Sequence, residues 1–236
     1  MVRSAAILVP AVLASVAAVA RADTPPLRHL VYSFTFESKQ QGTVPNDPGS
    51  TGARTYTGNV DDTGTITVDV LREAPDRGLV VVVSEQGDRT RGGEATTCAV
   101  YGNTNVACDP SKKVNREEYT LLRFLGANFL DPARLEGKQQ WTVSNKSAGD
   151  SMSAAYRVDK SDGDVMAIGE SRHVEDTSQG VTTFDAETKF EYVASRLLPT
   201  TIDEYATEQR HAGVNGIYTT VYQTTLKLVS DSMAKQ

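Results

Sequence analysis

The chain predicts a mainly β fold: a large curved antiparallel meander sheet of about eleven strands, a half-barrel or open barrel, carrying one substantial amphipathic helix. Two observations lead there. Apolar residues alternate with polar ones from Leu30 almost to the end, and short turns rich in Gly, Pro, Asn and Asp separate the alternating runs, which joins successive strands antiparallel. One stretch, 115–126, instead carries apolar residues at helical spacing. A two-sheet sandwich is the alternative architecture, because the same alternation suits two sheets that bury their faces on each other.

The N-terminus, MVRSAAILVPAVLASVAAVARAD, holds Arg3, an apolar run from Ala5 to Ala20 and the small-x-small pattern Ala20-Arg21-Ala22. This predicts a signal peptide over 1–22, since the run is short for a span and contains Pro10. No cysteine stands at the cut to accept a lipid. The expectation is a soluble secreted or periplasmic protein, not a lipoprotein, with 23–236 as a single β-rich domain and no integral membrane segment after cleavage.

In HLVYSFTFE, His29 to Glu37, the residues Leu30, Tyr32, Phe34 and Phe36 share one face of a half-buried strand. The Gly-, Pro- and polar-rich stretch 38–54 reads as a mobile surface loop. Thr65 to Leu71 alternates again, and Arg72 to Gly78 turns it into LVVVVS, Leu79 to Ser84, an apolar run that suits a strand covered on both faces. The two cysteines, Cys98 and Cys108, bound a hairpin whose five-residue tip is Tyr101 to Asn105. In an oxidising compartment they are expected to form a disulfide; the redox reading wants C-x-x-C and the zinc reading more ligands than the ring offers.

Asn115 with Glu118 forms a capping box, Glu117 and Glu118 suit a helix N-terminus, and Gly126 can end the helix. Asp131-Pro132 predicts a second short helical turn ending near Leu135. Trp141 and Val143 mark the next strand, and Ser151 to Asp159 turns at Asp162-Gly163 into a strand from Val165 to about Val174. From Val181 the pattern stays extended, bending at Pro199 and turning at HAGVNG, to a last strand, Ile217 to Leu228, with Tyr218, Tyr222, Leu226 and Leu228 on one face.

Charge and motifs exclude more than they assign. Cleavage would remove Arg3 and Arg21, leaving 22 of the 24 basic residues against 30 acidic ones and moving the formal charge from −6 to −8. Such a surface repels phosphate backbones, so nucleic acid is not an expected partner. Asp62-Thr63-Gly64 has the aspartic-protease tripeptide, but Asp61 precedes it where apolar residues are wanted, so it reads as a surface turn. The run Asp159 to Asp164 imitates a calcium loop with its glycine misplaced, and no metal or other cofactor is expected. With the turn at Asp162-Gly163, His173 falls opposite Met152 on the face of Tyr156, as a histidine at the sheet rim. No nucleophile elbow, zinc-helix motif or phosphate loop is present, and no catalytic residue is assigned.

The function expected is a noncatalytic secreted or periplasmic envelope protein that binds an apolar or lipid-like small molecule in a cavity between sheet and helix, because so large a sheet has more concave apolar surface than one helix covers. The alternatives are a structural or protein-interaction module with a self-filled core, whose partner is an envelope protein, and a hydrolase built on carboxylates that spacing does not reveal. The ligand-binding candidates are Leu121, Leu122, Phe124 and Leu125 on the helix and Tyr156, Tyr218 and Tyr222 on the sheet.

Overall fold

The computed structural model describes residues 25–45, 53–74, 78–89, 93–101, 105–126, 139–147, 149–177, 182–212 and 216–235. Their alternating sequence pairs into an antiparallel sheet of eleven strands: β1 Arg28–Pro45, β2 Ala53–Ala74, β3 Gly78–Gly87, β4 Thr96–Val100, β5 Val106–Cys108, β6 Gln140–Ser147, β7 Asp150–Asp162, β8 Val165–Asp176, β9 Thr182–Val193, β10 Leu198–Ala212 and β11 Gly216–Asp231. The first and last strands lie side by side at its centre, and two meanders run outward from them, β1 to β5 and β11 to β6. The sheet is open, with β5 and β6 at its edges. Between β5 and β6 comes the one α-helix among the described residues, α1 Arg116–Arg123.

Curvature has a local cause. The pairing register slips between Val31 and Tyr32, Val70 and Arg72, Val158 and Lys160, and Pro199 and Thr201. By the strand pairing all four irregularities fall at the same end of the sheet, and an extra residue on one strand increases twist and bends it. The bulged end grips the C-terminal end of α1: Gly126, at φ 78, donates its N–H to the Leu197 carbonyl at 2.9 Å, and the Tyr192 hydroxyl donates to the Gly126 carbonyl.

Paired inward residues form transverse layers. Phe34, Leu226, Ile202, Phe190 and Ile168 make an apolar layer. One pleat further from the bulges lies a layer of Asp62, Thr224, Glu204, Thr188, Glu170 and Tyr156, every one buried. Beyond it come Ala206, Ala186 and Ala154, with Tyr222 and Arg172 in the same row.

Several expectations meet corrections. Most of the stretch 38–54 is strand, since β1 and β2 stay paired as far as Pro45 and Ala53. Ladder hydrogen bonds need no apolar side chains, so Thr and Gln sustained a hairpin that polarity disguised as a loop. Asp62-Thr63-Gly64 is continuous strand rather than a surface turn, with Asp62 buried and Gly64 pressed on the β3 backbone where a Cβ would not fit. The hairpin β7–β8 turns at Gly163-Asp164, with Gly163 at φ 59 and Asp162 facing Val165. That shift and the bulge near Asp159 place His173 opposite Ser153 on the exposed face, away from Tyr156. Strand β3 is buried on one face by Val81 and Val83 and only half-covered on the other. The helical turn expected at Asp131 to Leu135 lies outside the described residues. Cys98 faces Cys108 in a disulfide with Cα atoms 4.0 Å apart, and Val100 pairs with Val106, leaving the five-residue tip.

Candidate functional site

The helix sets the site. Asn115 is extended and its backbone N–H donates to the Glu118 carboxylate at 2.8 Å, completing a capping box, while Arg123 in the last turn suits the negative end of the dipole. With its start fixed, α1 and its C-terminal end turn Leu121, Leu122, Phe124 and Leu125 into the core, Glu117 towards β2 and β3, and Arg116, Thr120 and Arg123 towards the sheet from β8 to β11.

The helical residues meet the buried polar layer in a charge network. Arg123 donates to the Glu170 carboxylate and, at 3.2 Å, to Glu204. Glu204 also accepts from Thr120 at 3.1 Å and Arg116 at 3.3 Å, and Glu170 from the Tyr156 hydroxyl at 2.8 Å and Thr188 at 3.2 Å. Burial alone would raise the Glu170 pKa; the charge and hydrogen bonds of Arg123 overcome it and hold the carboxyl below its ordinary value. Burial opposes the charge of Arg123 as well, and Glu170 and Glu204 more than restore it.

Towards the unbulged end this network grades into a half-buried aromatic rim. The Arg116 guanidinium lies 3.9 Å from the Tyr222 ring centre and 4.4 Å from that of Phe184, and Arg172 lies 5.8 Å from the same Phe184 ring. Phe36 stands 6.2 Å from Tyr222, whose hydroxyl donates to Glu208 at 2.8 Å. Glu208 is also paired with Arg210. Burial and the nearby Arg123 charge depress the Arg172 pKa, against a hydrogen bond to Tyr119.

Two further polar groups flank this centre. Asp62, Glu85 and Glu117 each bring a carboxylate oxygen within 4.8 Å of the others, with Asn115 donating to Glu85 at 2.9 Å. Burial raises the pKa of Glu117, and pushes that of Glu118 up to about 7. A groove of about 600 Å³ crosses strands β6 to β11 and draws many of its walls from exposed residues, among them Arg157, Asp159, Glu187, Lys189 and Tyr205. Nearby on the same face His173 faces Asp185 at 2.7 Å.

Of the residues selected from sequence, Leu121, Leu122, Phe124 and Leu125 lie together in the main hydrophobic core. Tyr156 is buried in the network, stacked on Trp141 at 5.1 Å, and Tyr222 forms part of the rim; Tyr218 is half-buried against Gly42 of the neighbouring strand. Sequence reasoning missed Arg116, Arg123, Glu170, Glu204 and Phe184. A signal existed for some of them: Glu170 keeps step with Ile168, Glu204 with Ile202 and Ala206, and Arg123 interrupts the apolar helical stripe. A charge in phase with core positions is a buried charge seeking a partner.

No protein-family description and no curated protein matches the chain. Among solved structures it is similar at the level of the chain trace to lipovitellin, in a structure concerned with lipid–protein interactions, with a TM-score of 0.43 and 10% identity over 90% of this chain and 26% of that one. The chain thus spans about a quarter of lipovitellin's length. An outer membrane channel from Pseudomonas putida F1 matches with a TM-score of 0.29 and 11% identity, covering 85% of this chain and 95% of the channel. At these scores neither likeness decides what the chain binds. No helix among the described residues is long and apolar enough to cross a membrane.

Proposed function

We propose that this chain is a noncatalytic envelope protein, exported after removal of residues 1–22, that holds the apolar part of a small amphipathic molecule at the unbulged end of its curved sheet. The observation that carries this reading is the half-buried rim of Phe36, Phe184 and Tyr222 beside the start of the helix, where the inner face of an open sheet still presents aromatic surface. Aromatic rings there bring apolar area at small entropic cost, and the Tyr222 hydroxyl adds a polar handle. The helical leucines close the core behind this rim rather than line it.

A second reading, a structural module with a self-filled core, is favoured by the complete burial of Leu121, Leu122 and Phe124. Carboxylate chemistry has less support, because Glu170 and Glu204 are sealed from solvent and engaged by Arg123. Organic extraction of the protein purified from its native host, followed by mass spectrometry, separates the two main readings. An amphiphile recovered at close to one per chain is expected; a clean extract, with no binding of added single-chain amphiphiles, overturns the carrier.

A further inference from the structure

We infer that the rim selects amphiphiles with an anionic head group, read by Arg116 and Arg172. This rests on the carrier reading above and adds the chemistry of the ligand's polar end. The first ground is pairing. Of the three guanidiniums at this end of the helix, Arg123 and Arg116 form ion pairs with Glu170 and Glu204, whereas Arg172 stands beside the Phe184 ring without one among the described residues. Glu208, on the same rim, is already matched by Arg210. Asp150 and Asp176 share a hydrogen bond at the far ends of β7 and β8.

The second ground is which cations keep unused donors. Arg123 is enclosed by its two carboxylates, whereas Arg172 has a hydrogen bond to the Tyr119 hydroxyl and feels Glu170 only from beyond ion-pairing distance. Arg116 keeps a buried Nε without a hydrogen-bond acceptor, although its side chain remains 22% exposed. A buried donor left unmade is costly, and a guanidinium stacked on aromatic faces is oriented for in-plane hydrogen bonds to a planar or tetrahedral oxyanion. Both cations share the Phe184 ring, so a head group placed between them would lay its chain along Phe184, Tyr222 and Phe36.

The test compares oleate with oleyl alcohol, which share a chain and differ in head-group charge, by calorimetric titration of the delipidated protein at pH 8. Oleate is expected to bind at least about tenfold more tightly. Its affinity should fall with added sodium chloride while that of the alcohol holds, as a charge interaction requires. In Arg172→Gln the ratio should collapse towards one through loss of oleate affinity alone, and Arg116→Gln should shift it the same way. Oleyl phosphate binding as well as oleate supports recognition of negative charge as such, and a preference for either names the head group. Equal affinity of the wild type for oleate and oleyl alcohol overturns the inference and leaves the carrier reading intact; binding of neither overturns both. Should a variant fail to fold, the wild-type ratio and its salt dependence still decide.

Discussion

Replacing Arg123 with Met removes the cation that holds the centre of the molecule together. The side chains of Arg123, Glu170 and Glu204 are 3%, 0% and 1% exposed, so the substitution leaves Glu170 without its ion partner and Glu204 with Arg116 alone, where water cannot reach them. Breaking a buried pair from one side costs about 3–5 kcal/mol, because the surviving charge keeps its desolvation penalty and loses its partner. For a chain of this size that is a fall of roughly 6–20 °C in Tm. The deficit should depend on pH. The Glu170 pKa is depressed in the folded wild type, so its contribution is present above the unfolded carboxylate value and lost as pH falls through the folded one. Without Arg123 the carboxyls regain protons more readily, and the variant's deficit should shrink from pH 7 towards pH 4. Urea unfolding of both proteins across that range measures it. The triple variant Arg123→Met, Glu170→Gln, Glu204→Gln should recover much of the loss, since its amides need no counter-charge. A deficit below about 1 kcal/mol at pH 7, or one independent of pH, would refute the reasoning.

Converting Cys98 and Cys108 to Ser should lower stability by roughly 2.8 kcal/mol through the freed denatured chain, and leave amphiphile binding unchanged because β4 and β5 contribute no side chain to the rim of Phe36, Phe184 and Tyr222; unfolding and titration of the same sample check both halves. Leu125→Ala should cost about 2–5 kcal/mol in delipidated protein, the cost of a cavity at a side chain 1% exposed, and a much smaller loss by denaturant unfolding would reinstate the helix as a ligand wall. Glu118 has its folded pKa raised to about 7, so its contribution is full below the unfolded value and lost as pH rises through 7. Unfolding midpoints between pH 4.5 and 8 should therefore decline less steeply in Glu118→Gln than in the wild type; parallel curves would count against a buried acid there.

The strand alternation, the capping box at Asn115 and the cysteine hairpin were legible because each is a local matter: side-chain period, one helical turn and a short ring closure fix them within a few residues. Register was legible only where turns and bulges were both read: the turn at Gly163-Asp164 shifts the pairing by two and preserves faces, and it is the extra residue between Val158 and Lys160 that moved His173 to the other face. Polar strands such as 38–45 were misread because backbone pairing leaves no trace in hydropathy. Tertiary structure alone decided which charges meet. Arg123 and Glu204 are separated by 81 residues, and their contact depends on a sheet that brings its first and last strands together and curls at its bulged end around the helix. Sequence by itself determined that this chain would bury one face of a long meander. Whether that face was oil or a network of arginine and glutamate depended on long-range register, because a buried charge is tolerated only where folding delivers its partner.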